Sequence, residues 1–133
     1  RNYLVNFARP FIYTTALPPH SMAAIDCAFE YLGQHMELQL LLAQKINKYS
    51  EGVSAFLPDT IRSSAIQTAI IPGNEVARQA SQRLQQQGFD VRAILSPTVA
   101  QGTERLRICL HTYNHDEQIS NLTQALKAIV AGG

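Results

Sequence analysis

Between Arg105 and His111 the chain alternates without interruption, with Leu106, Ile108 and Leu110 on one side and Arg105, Arg107, Cys109 and His111 on the other. A period of two is the signature of a strand, and here one face is apolar and the other polar. The sheet that holds this strand therefore buries one face only, which confines the fold to an arrangement with helices on a single side.

The neighbouring segments fit that arrangement. Ala65–Ile71 is a short apolar run closed by Pro72-Gly73 and reads as a strand. Asn74 is expected to cap the following helix, with Val76, Ala77, Ala80 and Leu84 as its inner stripe and Gly88 as its stop. Phe89–Leu95 reads as a second strand, followed by a turn-rich stretch through Gly102. Asn114 or His115 opens the last helix, whose stripe is Ile119, Leu122, Leu126, Ile129 and Val130. The order after residue 64 is β-α-β-β-α, with the two consecutive strands as antiparallel neighbours and both helices on one face.

A helical pair precedes this α+β sandwich. Pro10 stops any helix at or before Arg9, and the β-branched and aromatic run Phe11–Thr15 reads as a short strand. Pro18-Pro19 then opens a helix with Met22, Ile25, Ala28, Phe29 and Leu32 at helical spacing and Gly33 as its end. The second helix runs from about His35 to Tyr49, where Ser50-Glu-Gly52 breaks it.

Composition excludes several classes. The formal net charge is +1 over 133 residues, and no basic stripe marks a nucleic-acid partner. No apolar run approaches the roughly 20 residues that span a bilayer. The two cysteines, Cys27 and Cys109, are too few for a disulfide scaffold and read as buried free thiols of a cytoplasmic protein. His111 and His115 straddle a strand-to-helix junction, and no ligand set converges with them, so no metal is expected. Lys45, Lys48 and Lys127 occupy polar helix positions without the desolvated setting that activates an amine. No catalytic residue is assigned.

Three features carry possible chemistry. Arg107 offers a planar fork that matches a carboxylate, although alternation alone favours an ordinary solvated arginine. Thr98 is a turn hydroxyl that either bonds local backbone or faces a ligand. Thr14 and Thr15 lie just ahead of the proline-opened helix, where hydroxyls and free N–H groups either cap the helix or receive a phosphate.

The segments Phe11–Pro19 (FIYTTALPP), Asn74-Glu75 and Pro97–Leu110, with its two arginines in RLR, resemble the C-terminal portion of the pyridoxal-phosphate-dependent α-oxoamine synthases, and the likeness runs across nearly the whole chain. FIYTTALPP looks most like the biotin-pathway branch; glycine C-acetyltransferase, 5-aminolevulinate synthase and serine palmitoyltransferase share the outline. The resemblance implies the small C-terminal domain of a fold-type I pyridoxal-phosphate enzyme. Residues 1–17 would be a connector and strand on the large-domain side, and 18–133 the α+β domain. It implies that Arg107 grips the substrate carboxylate, that Thr98 lines the substrate pocket, and that Thr14 and Thr15 reach the cofactor phosphate of a neighbouring subunit.

The implied reaction joins L-alanine to a pimeloyl thioester with loss of carboxylate, giving 8-amino-7-oxononanoate. The implied partners are these small molecules, in a cytoplasmic homodimer, with no nucleic acid and no membrane. Leu95 departs from the biotin branch, where an arginine often stands three residues ahead of the matching threonine. The cofactor lysine of the family lies upstream of Phe11–Pro19. A chain opening on Arg1 is thus expected to be a piece of a longer protein, inactive alone and without bound cofactor. A stand-alone regulatory module that binds a small molecule is the other reading of a β-α-β-β-α sandwich of this size.

Overall fold

A computed structural model of the chain describes residues 1–12, 15–58 and 63–132, the Phe11 side chain excepted. It divides into two compact units, Arg1–Met36 and Glu37–Gly133.

The first unit is helical. α1 (Asn2–Phe7) gives way at Ala8, whose backbone is extended, and a single turn follows as α2 (Arg9–Ile12). This corrects the strand expected over Phe11–Thr15 at its start. Pro10 lies in the first turn of α2, where a backbone N–H has no helical partner to lose. Of the rest of that expected strand, Tyr13 and Thr14 lie outside the described residues and Thr15 is in no strand. α3 (Pro19–Gln34) begins with proline at its first position, as expected, and the Pro18 carbonyl accepts the N–H groups of Ser21 and Met22.

The apolar stripe of α3 is not a core. Met22, Ile25, Phe29 and Leu32 are exposed, and no residue of α1 or α3 is buried. Cys27 is exposed too, which overturns its assignment as a buried thiol.

The second unit holds the core. α4 (Met36–Val53) runs past Tyr49, the position where Ser50-Glu-Gly52 was expected to break it. The glycine is there for packing. A Cβ on Gly52 would meet the Thr123 side chain at 2.8 to 3.0 Å, so the bare backbone lets α4 approach the last helix.

Three strands form one antiparallel sheet, β1 (Ile66–Ile70), β2 (Arg92–Ile94) and β3 (Arg105–Cys109), in the order β1-β3-β2. β3 is central, and its alternation is realised: Leu106, Ile108 and Leu110 are buried, whereas Arg107, Cys109 and His111 are exposed. Cys109 is therefore a surface thiol, again contrary to expectation.

α5 (Asn74–Gln86) buries Ala77, Ala80, Ser81 and Leu84, while Val76 turns outward. Ser81 takes a place in the buried stripe because α5 holds the chain ahead of β2 through polar groups. Ser81 Oγ and Gln85 Nε2 both donate to the Val91 carbonyl, at 2.7 and 3.0 Å. Gly88, at φ +89°, reverses the chain, and the Phe89 N–H returns to the Leu84 carbonyl.

α6 (Asp116–Ala131) starts at a reciprocal cap between His115 and Gln118 and buries Ile119, Leu122, Thr123, Ala125 and Leu126; Val130 lies outside the stripe and is exposed. Asp116 joins its first turn to α4 through Lys45 (2.6 Å) and Lys48 (3.4 Å), and these ammonium groups hold its carboxyl below the usual carboxylate range.

The core is thus Tyr49 and Val53 of α4, the inward residues of β1 and β3, Leu84 and Leu126. This is the expected α+β arrangement, an antiparallel sheet with helices on one face. Among the described residues no helix is long and apolar enough to cross a membrane.

Candidate functional site

With helices against one face of the sheet, the other face presents three cross-strand rows. Thr68, Arg107 and Arg92 stand opposite one another; Ile70, Arg105 and Ile94 form the next row; Ile66 faces Cys109. The two arginines of β3 differ in their surroundings. Arg105 is half-buried, and its Nε donates to the Thr103 carbonyl at 2.9 Å, so its head is folded along its own loop. Arg107 is exposed, and its guanidinium has no hydrogen-bond or ion-pair partner among the described residues.

A cleft of about 720 Å³ opens beside Arg107. Its walls come from the α5–β2 connection, the end of β3 and the first turns of α6, with Asp90, Arg92, Arg107, Cys109, His111 and Tyr113 at the open-face side. Asp90 Oδ1 receives Arg92 Nε at 2.8 Å. The His111 imidazole and Tyr113 ring stack at 4.8 Å and 8°. That stack is set by a local turn in which the His111 N–H donates to Asn114 Oδ1 at 2.7 Å and the Asn114 N–H returns to the His111 carbonyl.

The turn at the other end of β2 carries Thr98. Asn74 fixes this turn from outside: its Nδ2 donates to the Ser96 carbonyl at 3.2 Å and its Oδ1 accepts the Ser96 N–H at 2.8 Å. Asn74 is therefore not the cap of α5. Gly73, with φ +98°, takes that position, and Asn74 spends both side-chain atoms on the β2–β3 connection. The Ser96–Pro97 peptide bond is cis.

Glu104 braces the same region from inside. Its Oε2 accepts the N–H groups of Gly73 and Gly102, both at 2.9 Å, and its side chain is almost wholly buried. The Gly73 N–H, then the Glu104 N–H and that of Gly102, hold its carboxyl below the usual carboxylate range, against the opposing effect of burial.

Arg107 thus lies in the cleft and Thr98 lies exposed in the turn, outside the cleft lining. Thr15 belongs to the first unit and is exposed, and Thr14 lies outside the described residues. Reading the sequence missed Arg92, Asp90 and Tyr113. Arg92 had one usable signal: it shares parity with Ile94 on a strand adjacent to β3. Strand register, which puts it opposite Arg107, has no local signature.

Residues 1–126 match the model of the family "Aminotransferase class I and II". The chain belongs to that family. Within it, the chain is 37% identical over 136 residues to 8-amino-7-oxononanoate synthase of Emericella nidulans, covering 95% of this chain and 32% of that enzyme. The solved 8-amino-7-oxononanoate synthase of Francisella tularensis superimposes with a TM-score of 0.71 at 29% identity, over 98% of this chain and 38% of the other. Serine palmitoyltransferase of S. paucimobilis shares the fold, with a TM-score of 0.79 at 23% identity and coverage of 98% and 34%. The resemblance to the pyridoxal-phosphate-dependent α-oxoamine synthases is borne out, and with it the expected fold-type I setting. The chain spans about a third of the length of the curated relatives it matches.

Proposed function

We propose that this chain is the C-terminal part of an 8-amino-7-oxononanoate synthase, a pyridoxal-phosphate-dependent acyltransferase that condenses L-alanine with a pimeloyl thioester and releases carbon dioxide. The observation that carries this reading is Arg107, a guanidinium on the open sheet face with no partner among the described residues, in a chain 37% identical to such synthases over nearly its whole length.

The residues present fit one side of such a site. Lys45 and Lys48 are ion-paired with Asp116, and Lys127 is exposed on α6, so none offers a free amine in an apolar setting. The covalent anchor therefore belongs to the rest of the parent. Thr15, exposed ahead of α3, and Thr14 would offer hydroxyls to the cofactor phosphate. When bound, pyridoxal phosphate supplies an electron sink for the carbanion at the amino acid's Cα.

Arg107 would hold the amino-acid carboxylate through two parallel N–H···O bonds and so fix which Cα bond is aligned for cleavage, an orientation effect that is a large part of many barrier reductions. Thr98 would contribute a hydroxyl to the substrate side, on a turn kept in place by Asn74 and Glu104. We further place the parent in the cytoplasm as a homodimer. Support comes from two free surface thiols and from the exposed apolar residues of α1 and α3.

The intact parent should form 8-amino-7-oxononanoate from L-alanine and a pimeloyl thioester, followed by mass spectrometry. It should not turn over glycine with an acetyl thioester. The reverse preference would move the protein to the glycine C-acetyltransferase branch. The 133-residue chain alone, supplied with cofactor and both substrates, should form no product.

A further inference from the structure

We propose that Arg92 and Arg107 together form a paired guanidinium seat for a carboxylate. The two residues stand directly opposite in the β2–β3 register and line the same cleft. Neighbouring strands bring such partners to roughly 5 Å at Cα, and like charges so placed repel. Nothing in the packing requires the pair, because both side chains lie on the exposed face.

The repulsion is only half relieved. Asp90 occupies the Nε edge of Arg92 at 2.8 Å, which steadies that guanidinium while leaving its terminal amino groups available. Arg107 has no partner among the described residues. The cleft therefore carries two arginines against one aspartate, an excess of one positive charge, next to neutral polar groups from Tyr113, Gln118 and Asn121. An anion between the two forks would complete the charge balance, and a carboxylate matches the planar geometry of both. At about 720 Å³ the cleft is in the range of small-molecule sites, and it has room for more than a bare ion.

The seat itself follows from this geometry; its assignment to carboxylate substrates rests on the proposed function. Two sources share the chemistry: the α-carboxylate of the amino acid and the distal carboxylate of a dicarboxylic acyl chain.

The test uses the 133-residue chain labelled with nitrogen-15, observing arginine Nε–H signals during titration with acetate at constant ionic strength against chloride. Arg92 and Arg107 should shift together and saturate with one dissociation constant. Arg92→Gln should weaken binding about tenfold, the loss expected for one charge-assisted contact, and Asp90→Asn should tighten it by removing the competing carboxylate. Titrations with L-alanine and with the monomethyl ester of pimelate then separate the sources, since only one of them should reproduce the coupled shift at lower concentration. A response of Arg107 alone, or no saturation at either arginine, overturns the seat. No turnover or cofactor enters this readout. Failed binding with an active parent sinks the seat alone, and coupled binding with a parent inactive on alanine sinks the proposed reaction alone.

Discussion

The carboxylate of Glu104 accepts the backbone N–H of Gly73 at 2.9 Å, although the two residues are 31 apart in the chain. The same oxygen takes the Gly102 N–H, so one buried anion fastens the loop before α5 to the loop before β3. These are the two loops that flank the Thr98 turn. Because the folded chain holds Glu104 below its ordinary value of 4.5, the unfolded chain binds more protons in acid. The stabilisation is complete above pH 4.5 and is lost as the pH falls through the folded value. Thermal melts from neutral pH into acid should show the wild-type chain losing more stability than Glu104→Gln, with the two curves converging. Parallel curves would mean that the carboxylate charge contributes nothing to this fastening.

Gly52→Ala separates two opposing magnitudes. In a helix interior alanine is favoured over glycine by about 1 kcal/mol. At this position the new methyl meets Thr123, which is buried, stiff at χ1 and bonded through Oγ1 to the Ser120 carbonyl, so it cannot step aside. Overpacking of this kind costs about 1–3 kcal/mol. The net expectation is a loss of up to about 2 kcal/mol in denaturant melts, smaller in a Thr123→Ala background. A stabilised Gly52→Ala chain would show that α4 and α6 separate without cost.

Much of this fold was legible from period and punctuation. β3 declares itself because Leu106, Ile108 and Leu110 alternate with polar residues, and α5 ends at Gly88 because a positive φ is needed there. The errors share a cause. Asn74 looks like a cap and Gly52 looks like a break when only neighbours in sequence are considered; both are set by contacts with Ser96 and Thr123, 22 and 71 residues on. Cys109 sits in an apolar-looking run, yet its parity puts it beside Arg107. The helical stripe of α3 is real, but periodicity states that a face is apolar and not what covers it. The candidate site was half legible. Arg107 followed from alternation and resemblance, whereas Arg92 required the register.

Tyr49 offers a test of the core. The residue is 1% exposed, its hydroxyl has no hydrogen-bond partner among the described residues, and burial pushes the phenol well above its ordinary pKa. An unpaired buried hydroxyl costs stability, and removing it at constant shape is neutral or favourable. Tyr49→Phe should therefore leave stability unchanged or raise it by up to about 2 kcal/mol. A loss above about 1 kcal/mol would reveal that the hydroxyl is satisfied in solution.

Arg107 and Arg105 are two residues apart on β3, and the proposed function requires them to behave differently in the intact parent. Arg107 is exposed and its guanidinium has no partner among the described residues, so Arg107→Ala removes the whole charge-assisted fork from the amino-acid carboxylate. Loss of such a contact lowers kcat/KM for L-alanine by about 10²-fold or more. With the fork on the amino-acid carboxylate, the thioester should be used almost normally once alanine is saturating; a matching loss on the thioester would assign the fork to the distal carboxylate of the acyl chain instead. Arg105 already donates its Nε to Thr103, so Arg105→Ala should act mainly on the loop and cost far less in alanine kinetics. Steady-state measurements with each substrate varied in turn decide the matter. Equal, small effects from the two substitutions would place the carboxylate clamp elsewhere in the parent.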